Sequence, residues 1–395
     1  MKCIVTILTF LFLGCSFSQE MRIGVVRSHD INRIIFSYYN GSYDVYGDTT
    51  KLKTILPNEF VDLSYTSSNK VSLKFGIEDL GIYDSVKLIQ TGKNYALRLT
   101  PKSPSVREKQ YRDNFLIFAK RGNLTVVNLV RENNYLAGVV ESEGGGGKHL
   151  EYYKAQAIIS RTYAVDRLGR HRRDGFQLCD QVHCQAYHNM QKYTPTIDTA
   201  VRQTKGELMV DSNQHLVEGF FHANCGGQTT WTDYVWRNRI DYLAPIIDTF
   251  CIYTAQANYV KRIPKAKWRN YLVYQLGYPE KDPVYGPLLY NFIQFDRQKF
   301  FQDESTGIKL TSLRYKFKLK STFFSCYEEG DEVVVVGKGY GHGVGLCQEG
   351  AMAMANAGYS YDQILGFYFS NVRVIGNYNE VFFLQENIGK DFQLL

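Results

Sequence analysis

Proline is scarce in this chain, 9 of 395 residues, so Pro-rich linkers and collagen-like repeats are excluded. No dense Lys/Arg tract accompanies the net charge of +7. That mild charge suits an anionic surface or polymer and falls short of a nucleic-acid footprint, so no nucleic-acid partner is expected. Past the N-terminus no apolar run reaches 18 residues, which excludes a transmembrane helix in the mature chain. There is no H-E-x-x-H, no G-K-[ST] and no internal repeat, so the common zinc-protease and phosphate-loop signatures are missing. What is there is ordinary globular composition, 44% apolar and 22% charged, in a chain long enough for two or three domains. The 30 Tyr and 24 Phe fit a β-rich core, or aromatic surface for sugar rings or bases.

The N-terminus reads as an address. Lys2 precedes an apolar run over 4–13, and Ser16-Phe17-Ser18 offers a cleavage site before Gln19. Ten apolar residues are too few to span a bilayer and fit a secretory signal, so residues 1–18 are expected to be removed and the protein exported to the periplasm or cell envelope. Phe12-Leu13-Gly14-Cys15 offers the alternative of a lipid anchor at Cys15. Of eight cysteines, Cys3 and Cys15 would leave with the signal. Cys179, Cys184, Cys225, Cys251, Cys326 and Cys347 would remain in a compartment that permits disulfides.

Residues 21–110 read as short alternating strands broken by Asn40-Gly41, Gly47-Asp48 and Gly92-Lys93 turns. They form an expected β-rich accessory domain over 19–110, and the polar stretch 101–112 marks its boundary. A hairpin follows (115–118 and 124–129), then a short helix over 134–140 that ends near Glu141-Ser142-Glu143. Gly144 to Gly147 then break the chain, and a longer helix spans 148–168, where apolar residues recur at helical spacing. Later come strands at 218–221 and 332–336, a helix at 348–357, and a capping-box signal at Ser360-Tyr361-Asp362-Gln363. The expected class is α+β: a mixed catalytic domain around a cleft over 111–377, with a C-terminal strand and tail over 378–395.

Four clusters could carry chemistry. Glu141 and Glu143 are too close in sequence to act as a spaced glycosidase pair, so only one of them is a candidate acid/base. Cys179-x4-Cys184, with His183 inside it, His171 before it and His188 after it, offers zinc ligands or, alternatively, a local disulfide. In the segment 337–348, alternate glycines surround His342 and lead to Gln348, so the backbone can approach a polar ligand closely. His222 and Asn224 sit at a strand end before Cys225-Gly226-Gly227. None of these orders makes a Ser-His-Asp or Cys-His nucleophile set.

Read together, YLAGVVESEGGGGKHLEYYKAQAIISRTYA (135–164), CDQVHCQAY, FHANCGGQT and GKGYGHGVGLCQEGAMAM (337–354) resemble the stage II sporulation protein D family over about 111–377. That family includes peptidoglycan lytic transglycosylases and amidase enhancers. The resemblance implies that Glu143, rather than Glu141, is the general acid/base. It implies that Lys154, Gln156, Arg161, Tyr163, His222, Asn224, His342 and Gln348 line the substrate site. It implies a structural zinc on His171, Cys179, His183 and Cys184. Peptidoglycan glycan strands and a cell-wall amidase are the implied partners, and cleavage of the β-1,4 MurNAc–GlcNAc bond to a 1,6-anhydro sugar is the implied reaction. Gly144 stands where the family often has Met-Pro, which predicts a more mobile loop. Cys225 and Cys347 stand where it often has Ser, which predicts a disulfide between two motif loops and leaves Cys251 and Cys326 as a second pair.

Overall fold

The computed structural model describes residues 20–376. The leader, Cys3, Cys15 and the segment 378–395 lie outside the described residues. The chain divides into two compact units, Met1–Tyr135 and Leu136–Leu395.

The first unit is built of antiparallel strands. One sheet contains, in spatial order, Glu20–Val25, Asn123–Arg131, Asn114–Lys120, Ser85–Gln90, Tyr43–Gly47 and Thr50–Ile55. The other contains Lys109–Arg112, Ala96–Ser103, Arg33–Asn40, Phe60–Tyr65, Val71–Phe75 and Glu78–Tyr83. Alternate residues turn inward, such as Ile34 and Phe36, and the Phe36 ring meets Phe115 edge-on at 5.2 Å between centroids. The boundary expected at 110/111 falls inside this unit. Lys109–Arg112 pairs with Ala96–Ser103, and Phe115 sits opposite Leu88. The polar stretch 101–112 is therefore the end of Ala96–Ser103, a turn and the edge strand Lys109–Arg112, where exposed polar residues are the rule, and not a linker.

The helix α1, Glu132–Gly144, carries the chain into the second unit and runs four residues beyond the expected end. Both candidate glutamates consequently lie in its last turn. Helix α2, Leu150–Asp166, starts at the His149 cap, whose Nδ1 accepts the Glu151 N–H at 3.3 Å. Twelve of its seventeen residues are buried, because Pro195–Gln203 and the C-terminal helices Gln348–Asn356 and Tyr361–Tyr368 surround it. The predicted capping box starts the last of these: the Ser360 N–H donates to Gln363 Oε1 at 3.0 Å.

An antiparallel sheet of Asn258–Pro264, Glu332–Lys338 and Phe324–Glu329 covers a second core centred on Trp268, which stacks on Phe317 at 5.0 Å. The strand expected at 218–221 shrinks to Phe221–His222. It pairs in parallel with Leu346–Cys347, so that His222 faces Cys347 in register. The molecule is thus mixed α+β. Among the described residues no helix is long and apolar enough to cross a membrane.

Candidate functional site

Glu141 and Glu143 leave α1 in different directions and meet different partners. The Glu141 carboxylate accepts the backbone N–H groups of Lys192 and Tyr193 at 2.8 and 2.9 Å, so both its oxygens anchor a loop. Glu143 is half-buried and engages through Oε1 alone, accepting the Ala186 N–H at 2.7 Å. Burial raises its pKa above the ordinary 4.5, and the Ala186 hydrogen bond opposes the rise only in part. The negative end of the α1 dipole also disfavours a carboxylate there. The environment therefore shifts the carboxyl toward its protonated form, the direction a general acid needs.

The segment that brings Ala186 to Glu143 lies hard against α1. A Cβ on Gly138 would fall 2.5 Å from the Tyr187 ring and 2.7 Å from the Asn189 carbonyl, so a side chain there would push the segment away. Just after Glu143 the glycine turn is exposed but tied down. Tyr153 Oη donates to the Gly145 carbonyl at 3.0 Å and accepts the Lys148 N–H at 2.9 Å.

Beneath Glu143 lies a buried amide network. Gln348 Nε2 donates to the Glu143 carbonyl at 3.2 Å and to Gln156 Oε1 at 3.3 Å, and Gln156 Nε2 donates to Ser160 Oγ at 3.3 Å. Gln156 is fully buried and Gln348 nearly so. These two residues position the glutamate from below.

The other nominated residues divide by location. His222 and His342 stack obliquely at 5.4 Å. His222 Nδ1 lies 3.0 Å from the Val344 carbonyl, so Nδ1 carries the proton, and Nε2 is buried with no hydrogen-bond partner. His342 Nδ1 accepts the Val344 N–H at 3.1 Å. Burial drives both pKa values down, His342 to about 4, so both rings are neutral near pH 7. The indole of Trp236, 43% exposed, lies 5.1 Å from His342. The glycines between Gly339 and Gly345 make this approach feasible: Gly341 has φ +117° and its Cβ would come 2.8 Å from His222 Cβ.

Arg161 and Asn224, expected at the substrate surface, lie in the core. Arg161 is fully buried, and its guanidinium donates to the carbonyls of Val201 and Glu207 at 3.3 Å each. Asn224 clamps loops, donating to Glu349 Oε2 at 2.7 Å and accepting the Gly226 N–H at 2.7 Å. Lys154 is salt-bridged to Glu151 at 2.7 Å, and Glu151 in turn accepts the Tyr361 N–H. Tyr163 sits beside the Cys/His cluster, where Arg170 donates to its Oη at 2.7 Å. A single sequence cannot distinguish an internal cap from a ligand contact, since both call for the same polar residue types.

His171, Cys179, His183 and Cys184 converge, with one donor atom from each lying within 4.8 Å of all the others. His183 Nδ1 is 3.9 Å from Cys179 Sγ and 3.8 Å from Cys184 Sγ. His171 Nδ1 contacts Asp174 Oδ2 at 3.1 Å, which leaves Nε2 buried and without a hydrogen-bond partner. A carboxylate behind a histidine whose other nitrogen is free is the usual outer-shell arrangement of a zinc ligand. The cysteines form no disulfide, and their mutual hydrogen bond lowers the pKa of Cys179 and raises that of Cys184. Two sulfurs, two imidazoles and an orphaned nitrogen fit tetrahedral zinc.

All six described cysteines are free, so the expected disulfides are absent from the structure. Cys225 and Cys347 do approach, but Cys251 joins them and Cys326 lies apart in the strand Phe324–Glu329. The sequence reading missed the Ala186 amide and the place of Asp248 beside these thiols. No local pattern signals either one, because both depend on long-range folding.

The arrangement defines a class: an α+β protein presenting a half-buried carboxyl with a raised pKa at a helix end beside a Cys2His2 cluster. Residues 120–210 match the family model described as Stage II sporulation protein, which supports an assignment to the stage II sporulation protein D family. It is similar to an uncharacterized protein of Brachyspira hyodysenteriae, 25% identical over 359 residues that cover 88% of this chain and 89% of the relative. It is similar to the amidase enhancer of Bacillus subtilis, 25% identical over 83% of this chain and 53% of the relative, so the chain spans about half that protein's length. It is also similar to stage II sporulation protein D of Bacillus subtilis, 26% identical over 65% of this chain and 77% of the relative.

Proposed function

We propose that this protein is a peptidoglycan lytic transglycosylase acting on glycan strands, with Glu143 as its general acid and base. The observation that supports this most is the half-buried Glu143 carboxyl, engaged through one oxygen and biased toward its protonated form. Protonated Glu143 donates to the glycosidic oxygen between N-acetylmuramic acid and N-acetylglucosamine, and the C1–O bond breaks. The muramoyl C6 hydroxyl attacks C1 and gives its proton to the same carboxylate. One bond breaks, one forms, and Glu143 ends as it began. The substrate supplies its own nucleophile, so a single carboxylate suffices where ordinary glycosidases use two. Proton transfer of this kind contributes about 10²–10⁴-fold.

His171, Cys179, His183 and Cys184 would hold zinc. With no open ligand position, the ion would supply a structural cross-link and no chemistry at the sugar. Cys184 stands two residues before Ala186, so that cross-link would fix the amide that holds Glu143. Export to the cell envelope belongs to the same reading, as does an accessory role for the first unit.

The amidase enhancer relative favours a second reading, in which the protein binds the wall and activates an amidase, with Glu143 as a binding group. Digestion of purified peptide-free glycan strands by wild type and Glu143→Gln, followed by mass spectrometry, separates the two. Anhydro-muramoyl ends from wild type alone are expected. Reducing ends would indicate a hydrolase. No cleavage, with equal glycan binding by both proteins, would favour the activator.

A further inference from the structure

Cys225, Asp248, Cys251 and Cys347 form a second cluster, apart from His171 and its neighbours. All four residues are completely buried, and one donor atom from each lies within 4.8 Å of all the others. Cys225 Sγ is 3.3 Å from Cys251 Sγ and 3.2 Å from Asp248 Oδ2. A disulfide would need about 2.05 Å. A tetrahedral ion with Zn–S bonds of about 2.3 Å holds its ligands roughly 3.8 Å apart, close to this spacing.

Backbone donors point at two of the three sulfurs. The N–H groups of Cys225 and Gly350 donate to Cys347 Sγ at 3.3 and 3.4 Å, and those of Gly226 and Gly227 are directed at Cys251. Asp248 is oriented from both sides: Oδ1 accepts the Phe250 N–H at 2.9 Å and Oδ2 accepts Tyr368 Oη–H at 2.9 Å. The buried Arg297 guanidinium donates to the Cys225 carbonyl at 2.7 Å, placing a positive charge beside the cluster. Several donors thus converge on sulfur in a volume closed to water.

We propose that Cys225, Cys251, Cys347 and Asp248 form a second, structural site for a thiophilic divalent ion, with zinc as its occupant. Three sulfurs and one carboxylate select zinc over magnesium or calcium. Binding releases the thiol protons to solvent, and all four positions are filled by protein. The ion ties three distant segments together: the turn after Phe221–His222, the turn at 248–251, and the first residue before helix Gln348–Asn356.

The test is metal analysis of the full chain, purified with zinc under reducing conditions. Two equivalents of zinc are expected in wild type, one in Cys347→Ser and one in the Cys179→Ser/Cys184→Ser double variant. Cobalt(II) added to metal-free double variant should give sulfur-to-cobalt charge-transfer absorption, a readout that holds even if Cys347→Ser does not fold. A single equivalent in wild type that disappears in the double variant would overturn the proposal. So would the absence of that absorption, or a zinc-loaded protein two hydrogens lighter than expected with Cys225 and Cys251 recovered as a linked peptide.

Discussion

Gln348 Nε2 donates to the Glu143 main-chain oxygen across 205 residues of sequence, at 3.2 Å. The same nitrogen reaches Gln156 Oε1, which also accepts from Tyr152 Oη at 3.5 Å. The end of α1, the interior of α2 and the start of the helix Gln348–Asn356 are therefore joined by one amide. The glutamate's place is set by side chains that never need to touch a sugar.

Gln348→Ala tests that positioning role. Removal of the amide leaves the Glu143 carbonyl and Gln156 Oε1 with one donor fewer in a buried setting, which costs about 1–3 kcal/mol of stability. Displacement of an acid by an ångström can cost about 10²-fold in rate. The expected result on glycan strands is a fall in kcat with KM little changed, together with a lowered Tm. A raised KM with unchanged kcat would mean that Gln348 contacts substrate instead.

The raised pKa of Glu143 gives two linked expectations. The acid role proposed for it needs the proton, so kcat/KM is expected to fall as pH rises through a midpoint above the ordinary 4.5. Stability moves in the same direction. Between the unfolded and folded pKa values only the folded chain keeps the proton, so stability contributed by this group is present at low pH and is lost as pH climbs through that window. Glu143→Gln cannot ionise. Its Tm should match wild type below about pH 4.5 and exceed it near neutrality. A Tm difference independent of pH would show that the carboxyl is not desolvated.

Arg161 separates a core role from a ligand role. Its guanidinium holds the carbonyls of Val201 and Glu207, and Arg161→Met removes both donors. The expected loss is about 1–3 kcal/mol for each carbonyl left unpaired, read by denaturant unfolding. Glycan affinity of the folded variant should be unchanged. A folded variant that loses glycan affinity would return Arg161 to the substrate surface.

The sequence was most legible where signals are local. The capping box at Ser360 and Gln363, the helical period over 148–168 and the strand before the Gly-rich loop all lie within a few residues of their cause. The nearness of His222 and His342, and of Gln348 and Glu143, was legible only as membership in a set of family motifs. The burial of Arg161 and Asn224 was not legible, because a polar residue that caps a carbonyl and one that binds a sugar look alike without the fold. Nor was the third thiol: Cys251 meets Cys225 through long-range folding, beside the parallel pair of Phe221–His222 with Leu346–Cys347. The domain boundary was missed for the same reason, since an edge strand and a linker share polarity.

On the proposed reading, removal of zinc from the His171 cluster should act on Glu143 without any metal at the sugar. Cys184 and Ala186 lie on one short segment, and the Ala186 N–H stabilises the Glu143 carboxylate. Loss of the cross-link frees that segment, takes the hydrogen bond away and leaves burial as the main influence on the carboxyl, so its pKa rises further. His171→Ala is the mildest probe, because it removes one ligand and keeps both thiols. The expected variant binds less zinc, melts at a lower temperature and, where folded, shows the alkaline limb of kcat/KM displaced to higher pH. Lost zinc and a lowered Tm with an unmoved limb would show that the cluster braces the fold but not the acid. Full zinc content in His171→Ala would remove that histidine from the ligand set.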